Sequence, residues 1–293
     1  MRRKLVKQGP SSLTVSLPKE WTERFGLKGG EDVNIEEVNA ELIVSSLNRI
    51  KSANTTTYDL TGLPDSKLMR DIMVSIYKQG IKDVTFTGLS SKKMVHIKEV
   101  VQNTIGFEII NETKDSLHIV DLGTADEQSM AQAENQIYWK LLNMLEQVKN
   151  TSVKYEELKK VDREVNRLAF YIQRNLSANF SKGSNNFIRY EKIGILENLG
   201  DTIRYFKKYH TVTSKEIKFL SQIAVLLDKL RPTTINMEQF TEIDASILSL
   251  MESSEKLAKG KNKEGFQQIF LIKSLNELFE ITFALNINNL KGK

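Results

Sequence analysis

The chain contains no cysteine, and this absence removes several functional classes at once. Without cysteine there is no disulfide framework, no thiolate metal site and no cysteine nucleophile. The start of the sequence lacks the long apolar stretch of a signal peptide, and no window approaches the roughly 18 consecutive apolar residues of a membrane-spanning helix. We therefore expect a cytoplasmic protein without direct membrane insertion.

Histidine is also scarce, and its positions argue against an enzyme. The three histidines are His96, His118 and His210. A carboxylate-bundle oxidase would carry Glu-x-x-His pairs, but no histidine here has a glutamate three residues before it. The nearest candidate for a phosphate-cradling glycine loop, residues 88–93, lacks the required spacing. We expect a regulator rather than an enzyme.

Charge is present in ordinary amounts but is unevenly distributed. The 293 residues are 40% hydrophobic and 27% charged, as in soluble globular proteins, and the net charge of +5 is compatible with nucleic-acid binding. Residues 1–30 contain seven lysines and arginines against two glutamates, whereas residues 31–48 contain five acids and no base. One face of such a dipole attracts phosphates and the other discourages them.

The same N-terminal stretch has the pattern of a small β-rich unit. Apolar residues alternate with Thr14 and Ser16 from Leu13 onward, as in a half-buried strand. Pro18 suits the first position of a short helix, which Gly26 ends. We predict four short strands and one short helix. A unit of about 50 residues is marginal alone, and sharing a core with a second copy would stabilise it.

Three segments of this unit carry a resemblance to a known family: Arg3-Lys4-Leu5, Leu13-Thr14-Val15-Ser16-Leu17-Pro18-Lys19 and Gly26-Leu27-Lys28-Gly29-Gly30-Glu31-Asp32-Val33. They closely resemble the AbrB/SpoVT-type swapped-hairpin DNA-binding domain. The resemblance implies a homodimer whose protomers interleave strands into one barrel. The DNA contacts it implies are Arg2, Arg3, Lys4, Lys7 and Lys19. The alternative is that these residues form a solvated strand edge.

Residues 55–122 have a different pattern, in which strand-like and helix-like runs follow each other in the order β-α-β-α-β-β. This order predicts a small α/β module. Asp65 is a candidate cap for the first of its helices. The sequence leaves open whether the module is a structural linker or a ligand sensor.

Residues 125–293 are predicted to be helical nearly throughout. Polar and glycine-containing breaks divide them into six helices at 126–149, 154–181, 187–209, 214–230, 236–258 and 263–290. These lengths predict two antiparallel three-helix bundles. The whole chain is thus expected to be an α+β multidomain protein with domains at 1–48, 55–122 and 125–293.

Two helices share a pattern of oxygen-bearing side chains beside their apolar stripe. Asp162 precedes Asn166 by four residues, and Glu197 precedes Asp201 by four, so each pair lies on one helical face. Carboxylate and amide oxygens gathered between helices can hold a cation. The alternative is a solvated helix flank with ion pairs to nearby arginines, namely Arg163, Arg167 and Arg204.

This region resembles the PhoU family of phosphate-uptake regulators, whose paired three-helix bundles carry E(D)xxxD metal motifs. Glu197-xxx-Asp201 matches the motif in full, and Asp162-xxx-Asn166 has an amide in place of its second carboxylate. In the second bundle Asn276-xxx-Glu280 is a weaker match. The resemblance implies a divalent, iron or zinc ion held by these helix carboxylates.

An AbrB-like domain followed by a PhoU-like domain resembles the archaeal-type phosphate uptake regulators. The resemblance implies a dimeric DNA-binding transcriptional regulator whose helical domain senses metal, phosphate or the ATPase subunit of a phosphate transporter. Two alternatives remain open. One is a PhoU-like adaptor that contacts a transporter and uses its N-terminal domain only to dimerise. The other is an antitoxin, although antitoxin tails are usually short and disordered, whereas this one has strong helical periodicity.

Overall fold

The computed structural model describes residues 2–38, 41–46, 56–123, 126–178, 184–209, 212–231, 234–259 and 263–287. The chain divides into two compact units, residues 1–55 and 56–293. His210 lies outside the described residues.

The N-terminal unit consists of two small hairpins and a short helix. Its elements are β1 (Val6–Lys7), β2 (Leu13–Thr14), α1 (Lys19–Arg24), β3 (Val33–Val38) and β4 (Glu41–Ser46). β1 pairs antiparallel with β2, and β3 with β4, as two separate two-stranded sheets. The helix begins one residue later than predicted because Pro18 is extended and serves as its N-cap. Gly26, at φ +64°, follows the helix in the left-handed conformation that commonly ends helices.

This unit lacks a hydrophobic core within one protomer. Among the side chains described in residues 2–46, no apolar one is buried. Leu13 is 63% exposed and Leu42 is 69% exposed, although both lie in strands. The predicted half-burial of the second strand is therefore wrong for the single protomer. Exposed apolar strands of this kind stabilise a fold only when something covers them.

The second unit begins with a four-stranded mixed sheet, and the predicted order β-α-β-α-β-β is confirmed. Its elements are β5 (Thr56–Asp59), α2 (Leu68–Lys78), β6 (Asp83–Thr87), α3 (Ser91–Gln102), β7 (Phe107–Glu112) and β8 (Leu117–Asp121). The strands lie in the order β5-β6-β8-β7, with β5 and β6 parallel and the other neighbours antiparallel. A separate hydrophobic core fills the space between this sheet and its two helices.

One predicted helix cap is wrong. Asp65 does not cap α2, whose N-cap is Lys67 without a side-chain cap bond. Instead, the Ser90 hydroxyl donates to Asp65 Oδ1 at 2.8 Å and accepts from the Lys93 backbone N–H at 3.2 Å. Ser90 is thus the cap of α3 and links it to the loop before α2.

Six long helices complete the chain, and their ends agree closely with the predicted ones. They are α4 (Glu127–Lys149), α5 (Tyr155–Ser177), α6 (Ser184–Tyr209), α7 (Ser214–Lys229), α8 (Met237–Lys259) and α9 (Lys263–Asn286). Asp126 caps α4 by accepting from the Ser129 backbone N–H at 2.7 Å. Thr213 and Glu216 form a reciprocal capping box that starts α7.

The six helices share one hydrophobic core. α4, α5 and α6 pack against one another as a three-helix bundle. α9 packs against α8 and α6, and α7 packs more extensively against α4 than against α8. α2 of the α/β module packs against α5, so the module covers one side of the first bundle. No helix in the described part of the chain is long and apolar enough to cross a membrane.

Candidate functional site

Four of the five predicted DNA-contacting residues lie at the first hairpin, and the fifth, Lys19, is the first residue of α1. Arg2, Arg3 and Lys4 lie before β1, separated from it by Leu5, and Lys7 is its second residue. The turn that reverses the chain contains Gly9 at φ +86° and is closed by a 2.9 Å hydrogen bond from the Gln8 N–H to the Ser12 carbonyl. These four basic residues therefore lie just before the hairpin and in its first strand.

All five predicted DNA contacts are exposed. Within the described residues, Arg2, Arg3, Lys4 and Lys7 have no ion pair. Lys19 Nζ lies 3.6 Å from Glu23 Oε1, but these side chains are 85% and 65% exposed, and a pair so exposed contributes little. All five cations are consequently accessible to the phosphates of a nucleic acid.

The predicted metal ligands of the two helices do come together. Asp162, Asn166, Glu197 and Asp201 all line one cleft, with a volume of about 490 Å³. α5 supplies the first two residues, α6 supplies the last two, and α2 of the α/β module closes the third side through residues 67–74. The sequence pattern placed these four side chains on one surface correctly, but it did not identify α2 as the third wall.

An arginine joins two of these carboxylates. Arg204 Nε lies 3.0 Å from Asp162 Oδ2, and the same guanidinium donates to Asp201 Oδ1 and to the Tyr155 hydroxyl. Its guanidinium carbon also lies 4.3 Å from the centre of the Tyr205 ring. Arg204 is only 8% exposed. Charge-assisted contacts of this kind, held away from water, are stronger than surface pairs.

Burial dominates the electrostatics of this cleft. Burial raises the pKa of Asp162 to about 6, an effect that Arg204 opposes and that Asp201 and Glu197 reinforce. Burial likewise raises the pKa of Glu197, opposed by Lys78. Burial lowers the pKa of Lys78, whose Nζ lies 4.3 Å from the centre of the Phe170 ring. The carboxylates are thus balanced by cations from both the bundle and the α/β module.

This donor set does not fit a metal cluster. Among the described residues, no group of three or more histidine, cysteine, aspartate or glutamate side chains has an arrangement that could hold a metal ion. Arg204 already supplies a positive charge to Asp162 and Asp201. The alternative to a metal site was ion pairing with Arg163, Arg167 or Arg204. Of these three, Arg204 contacts Asp162 and Asp201. Metal binding stays a prediction of the sequence motif.

Glu280, the weaker candidate ligand, lies elsewhere. It lines a separate groove between α6 and α9 together with Glu191 and Glu277. Its Oε1 accepts a 2.7 Å hydrogen bond from Asn276 Nδ2, so the four-residue spacing forms an intrahelical pair. The structure therefore does not bring Glu280 to the cleft that holds the other four residues.

The cleft also has cationic residues that the sequence did not single out as a site. A small cavity of about 40 Å³ continues it, and Arg70, Arg163 and Arg167 all line this cavity. Arg163 and Arg167 are four residues apart on α5, a spacing that is visible in the sequence. Arg70 belongs to α2, almost a hundred residues earlier, and no local pattern could have indicated its position.

Comparisons with known proteins concern the N-terminal unit. Residues 6–52 match the family model described as antidote-toxin recognition MazE, bacterial antitoxin. No curated protein and no solved structure matches the chain. The N-terminal part is therefore a MazE/AbrB-like domain, which supports a DNA-binding or antitoxin-type regulator. The comparisons give no support to the PhoU-like resemblance of the helices.

Proposed function

We propose that this protein is a homodimeric DNA-binding transcriptional regulator of phosphate uptake, whose helical domain senses a ligand or a transporter partner. DNA binding is supported by the basic residues at the start of the first hairpin, which belongs to a MazE/AbrB-like domain. Such domains typically bind DNA and dimerise. Arg2, Arg3, Lys4 and Lys7 have exposed side chains with no ion pair in the described part of the chain.

Dimerisation is supported by the exposed strands of the N-terminal unit. Leu5, Val6, Leu13 and Ile35 are each at least 59% exposed in the protomer. A unit of this size cannot offset its conformational entropy without burying such side chains. A second copy that interleaves its hairpins with the first would bury them, and it would also place two basic arms on one DNA duplex.

The link to phosphate uptake rests on sequence resemblance. The motif Glu197-xxx-Asp201 and the six-helix organisation are the features that the helical region has in common with PhoU-type regulators. In this proposal the helical domain transmits the state of phosphate supply to the DNA-binding domain through a coupling free energy between the two sites.

The test is a binding experiment with the full-length protein and fragments of its own genome across a salt series. We expect preferred binding upstream of phosphate-transport genes, with affinity that falls steeply as salt rises. DNA affinity that is the same with and without phosphate, metal ions and the transporter ATPase subunit would contradict the coupling. Equal binding to random DNA would instead favour the adaptor that contacts a transporter.

An antitoxin is the second candidate function, because the family match is described in those terms. It predicts a tight complex with a toxin partner that forms through the region after residue 52. Co-expression with the products of neighbouring genes, followed by purification, tests this alternative. The long packed helices, from Glu127 to Asn286, favour a sensor domain over a short toxin-masking tail.

A further inference from the structure

A groove separates α7 from α8 in the helical region. These two helices follow each other along the chain, but α7 packs mainly against α4 and α8 packs mainly against α9. The groove between them has a volume of about 530 Å³. Its lining residues on α7 recur at spacings of three and four from Lys218 to Lys229, so they form one face of that helix. The distance between these two ends is about 16 Å, or about three helical turns.

The floor and the walls of this groove are mostly apolar or small. Leu226 and Leu250 are buried at its floor, and Val225 lines it with 57% of its side chain exposed. Ser221 and Ser246 also line it, but each hydroxyl donates at 2.8 Å to the backbone carbonyl four residues earlier in its own helix. Hydroxyls that are satisfied in this way need no donor or acceptor from a partner, so the surface suits apolar contact.

The charged residues that line the groove are both cations. Lys218 lies at one end and Lys229 at the other, and no carboxylate of the described residues lines the groove between them. Lys229 Nζ lies 3.3 Å from Glu242 Oε2, but both side chains are exposed, and a pair of this kind is weak. Lys218 is exposed and has no ion pair within the described part of the chain. The groove therefore favours a partner that is apolar along its middle and acidic near its ends.

We propose that this groove docks an amphipathic helix of a partner protein, with its apolar side on Val225 and its carboxylates facing Lys218 and Lys229. A helix whose apolar face lies in a hydrophobic groove is a recurrent mode of protein recognition. Carboxylates about eleven residues apart on such a helix would reach both lysines, because they are about 16 Å apart along its axis. The inference deepens the proposed function and rests on the part of it in which the helical domain senses a partner.

A second copy of this chain fits the groove less well. A two-fold axis across α7 would pair this helix antiparallel with itself, because a two-fold interface uses the same surface on both copies. Lys218 would then lie opposite a lysine of the other copy, and like charges at close range repel one another. The acidic helix of a different protein has the complementary charge.

The test is a fluorescence anisotropy titration of dye-labelled synthetic peptides with the full-length protein, in the absence of DNA. Each peptide has about 18 residues, which is long enough to form a helix. The acidic peptide has leucine at every third or fourth position and two glutamates about eleven residues apart. A second peptide has lysine in place of both glutamates, and a third has the acidic composition in scrambled order. We expect the acidic peptide to bind about tenfold more tightly than either of the others, because only it matches both the charge and the apolar face.

Two pairs of variants locate the binding to the groove. Val225→Glu should weaken binding of the acidic peptide by about tenfold or more, because it places a carboxylate where the apolar face packs. Leu248→Glu is its matched control and should leave the affinity unchanged, since Leu248 is 56% exposed on α8 but does not line the groove. Lys218→Glu should reduce the preference for the acidic peptide over the lysine peptide. Lys215→Glu, at an exposed position outside the lining, should preserve that preference.

Three results would overturn the inference. The first is no binding of the acidic peptide, or equal binding of all three peptides. The second is equal affinity for the acidic peptide in Val225→Glu and Leu248→Glu. The third is a shift from dimer to monomer in Val225→Glu without peptide, which would assign the groove to a second copy. The comparison of peptides needs no substitution, so it stands even where a variant fails to fold. Because DNA is absent, failure here is separate from failure of DNA binding.

Discussion

Arg174 and Asp121 form a buried ion pair that joins α5 to the last strand of the α/β module. Arg174 NH2 lies 2.6 Å from Asp121 Oδ2, and the two side chains are 4% and 8% exposed. The same guanidinium donates at 2.8 Å to the backbone carbonyls of Tyr77 and Ile81. One side chain thus contacts three groups of the module at once, and it ties α5 to the end of α2 at Tyr77.

Breaking this pair should destabilise the second unit strongly. We expect Asp121→Asn to lower the free energy of unfolding by about 3–5 kcal/mol, because it leaves the Arg174 charge buried without a counterion. Urea unfolding followed by circular dichroism measures the change. Glu112→Gln, which removes an exposed partner of Lys98, is the control and should cost about 0.5 kcal/mol. A small, equal effect of both substitutions would contradict the importance of the buried pair.

Gly88, directly after β6, lies too close to neighbouring atoms to accept a side chain. Gly62 has a similar backbone conformation without close neighbours, so it provides a comparison. Gly88 has φ +68°, and an added Cβ would lie 2.6 Å from the Thr61 backbone nitrogen. Gly62 has φ +77° but nothing within 4 Å of the same position. Both Gly→Ala substitutions introduce left-handed strain of about 1–2 kcal/mol, and only Gly88→Ala adds a clash with backbone.

We therefore expect Gly88→Ala to lower Tm several degrees more than Gly62→Ala does. Thermal unfolding of the two variants side by side provides the comparison. Indistinguishable Tm values would show that the loop after β5 moves freely away from Gly88, contrary to the close approach of Thr61 to Gly88.

The raised pKa of Asp162 predicts a pH dependence with a definite sign. Its ordinary value is 3.8, and burial raises it to about 6, so the native state holds a proton that the unfolded state releases in this interval. Stability contributed by the protonated form is present below about pH 4 and is lost as pH rises through 6. Relative to Asp162→Asn, the wild type should lose about 1–3 kcal/mol between pH 4 and pH 7.

Chemical denaturation of both proteins at several pH values measures this difference, and any constant effect of the substitution cancels. Curves of stability against pH that run parallel for the two proteins would contradict a buried, proton-holding Asp162. The opposite slope would mean that Arg204 outweighs the cost of burial.

The exposed strands of the N-terminal unit predict that a charge there disrupts self-association. Leu13→Glu should convert dimers to monomers, because it places a carboxylate where a second copy would cover an apolar side chain. Val95→Glu is the matched control, since Val95 is 63% exposed on α3, as Leu13 is on β2. Sedimentation velocity measures the outcome. A wild type that is monomeric, or a Leu13→Glu variant that stays dimeric, would contradict the interleaved dimer.

The sequence predicted local features of this fold well and contacts between distant elements poorly. The starts of α4 and α7 follow from local N-cap residues, Asp126 and Thr213. The order of strands and helices along the α/β module likewise follows from nearby patterns. The predicted cap at Asp65 is wrong because Asp65 instead accepts from Ser90, which lies 25 residues away, a contact that no local spacing reveals.

The candidate cleft likewise combines local features that the sequence predicts with contacts between distant elements that it does not. Four-residue spacing predicts that Asp162 and Asn166 share one face of α5 and that Glu197 and Asp201 share one face of α6, because helical geometry determines both. The contact of Arg204 with Asp162 crosses from one helix to another, and Arg70 comes from a separate layer. Tertiary packing determines these contacts, so the motif spacing alone could not show that Arg204 contacts Asp162 and Asp201.

The most direct test of DNA recognition is the salt dependence of binding by Arg3→Gln/Lys7→Gln. Its control is Lys160→Gln/Lys215→Gln, which removes the same net charge from exposed helical positions. If each dimer loses four phosphate contacts, the slope of log K against log salt should become shallower by about 3.6, and affinity should fall on every sequence. The control should match the wild type. Identical slopes for all three proteins would contradict a DNA-binding surface at the first hairpin.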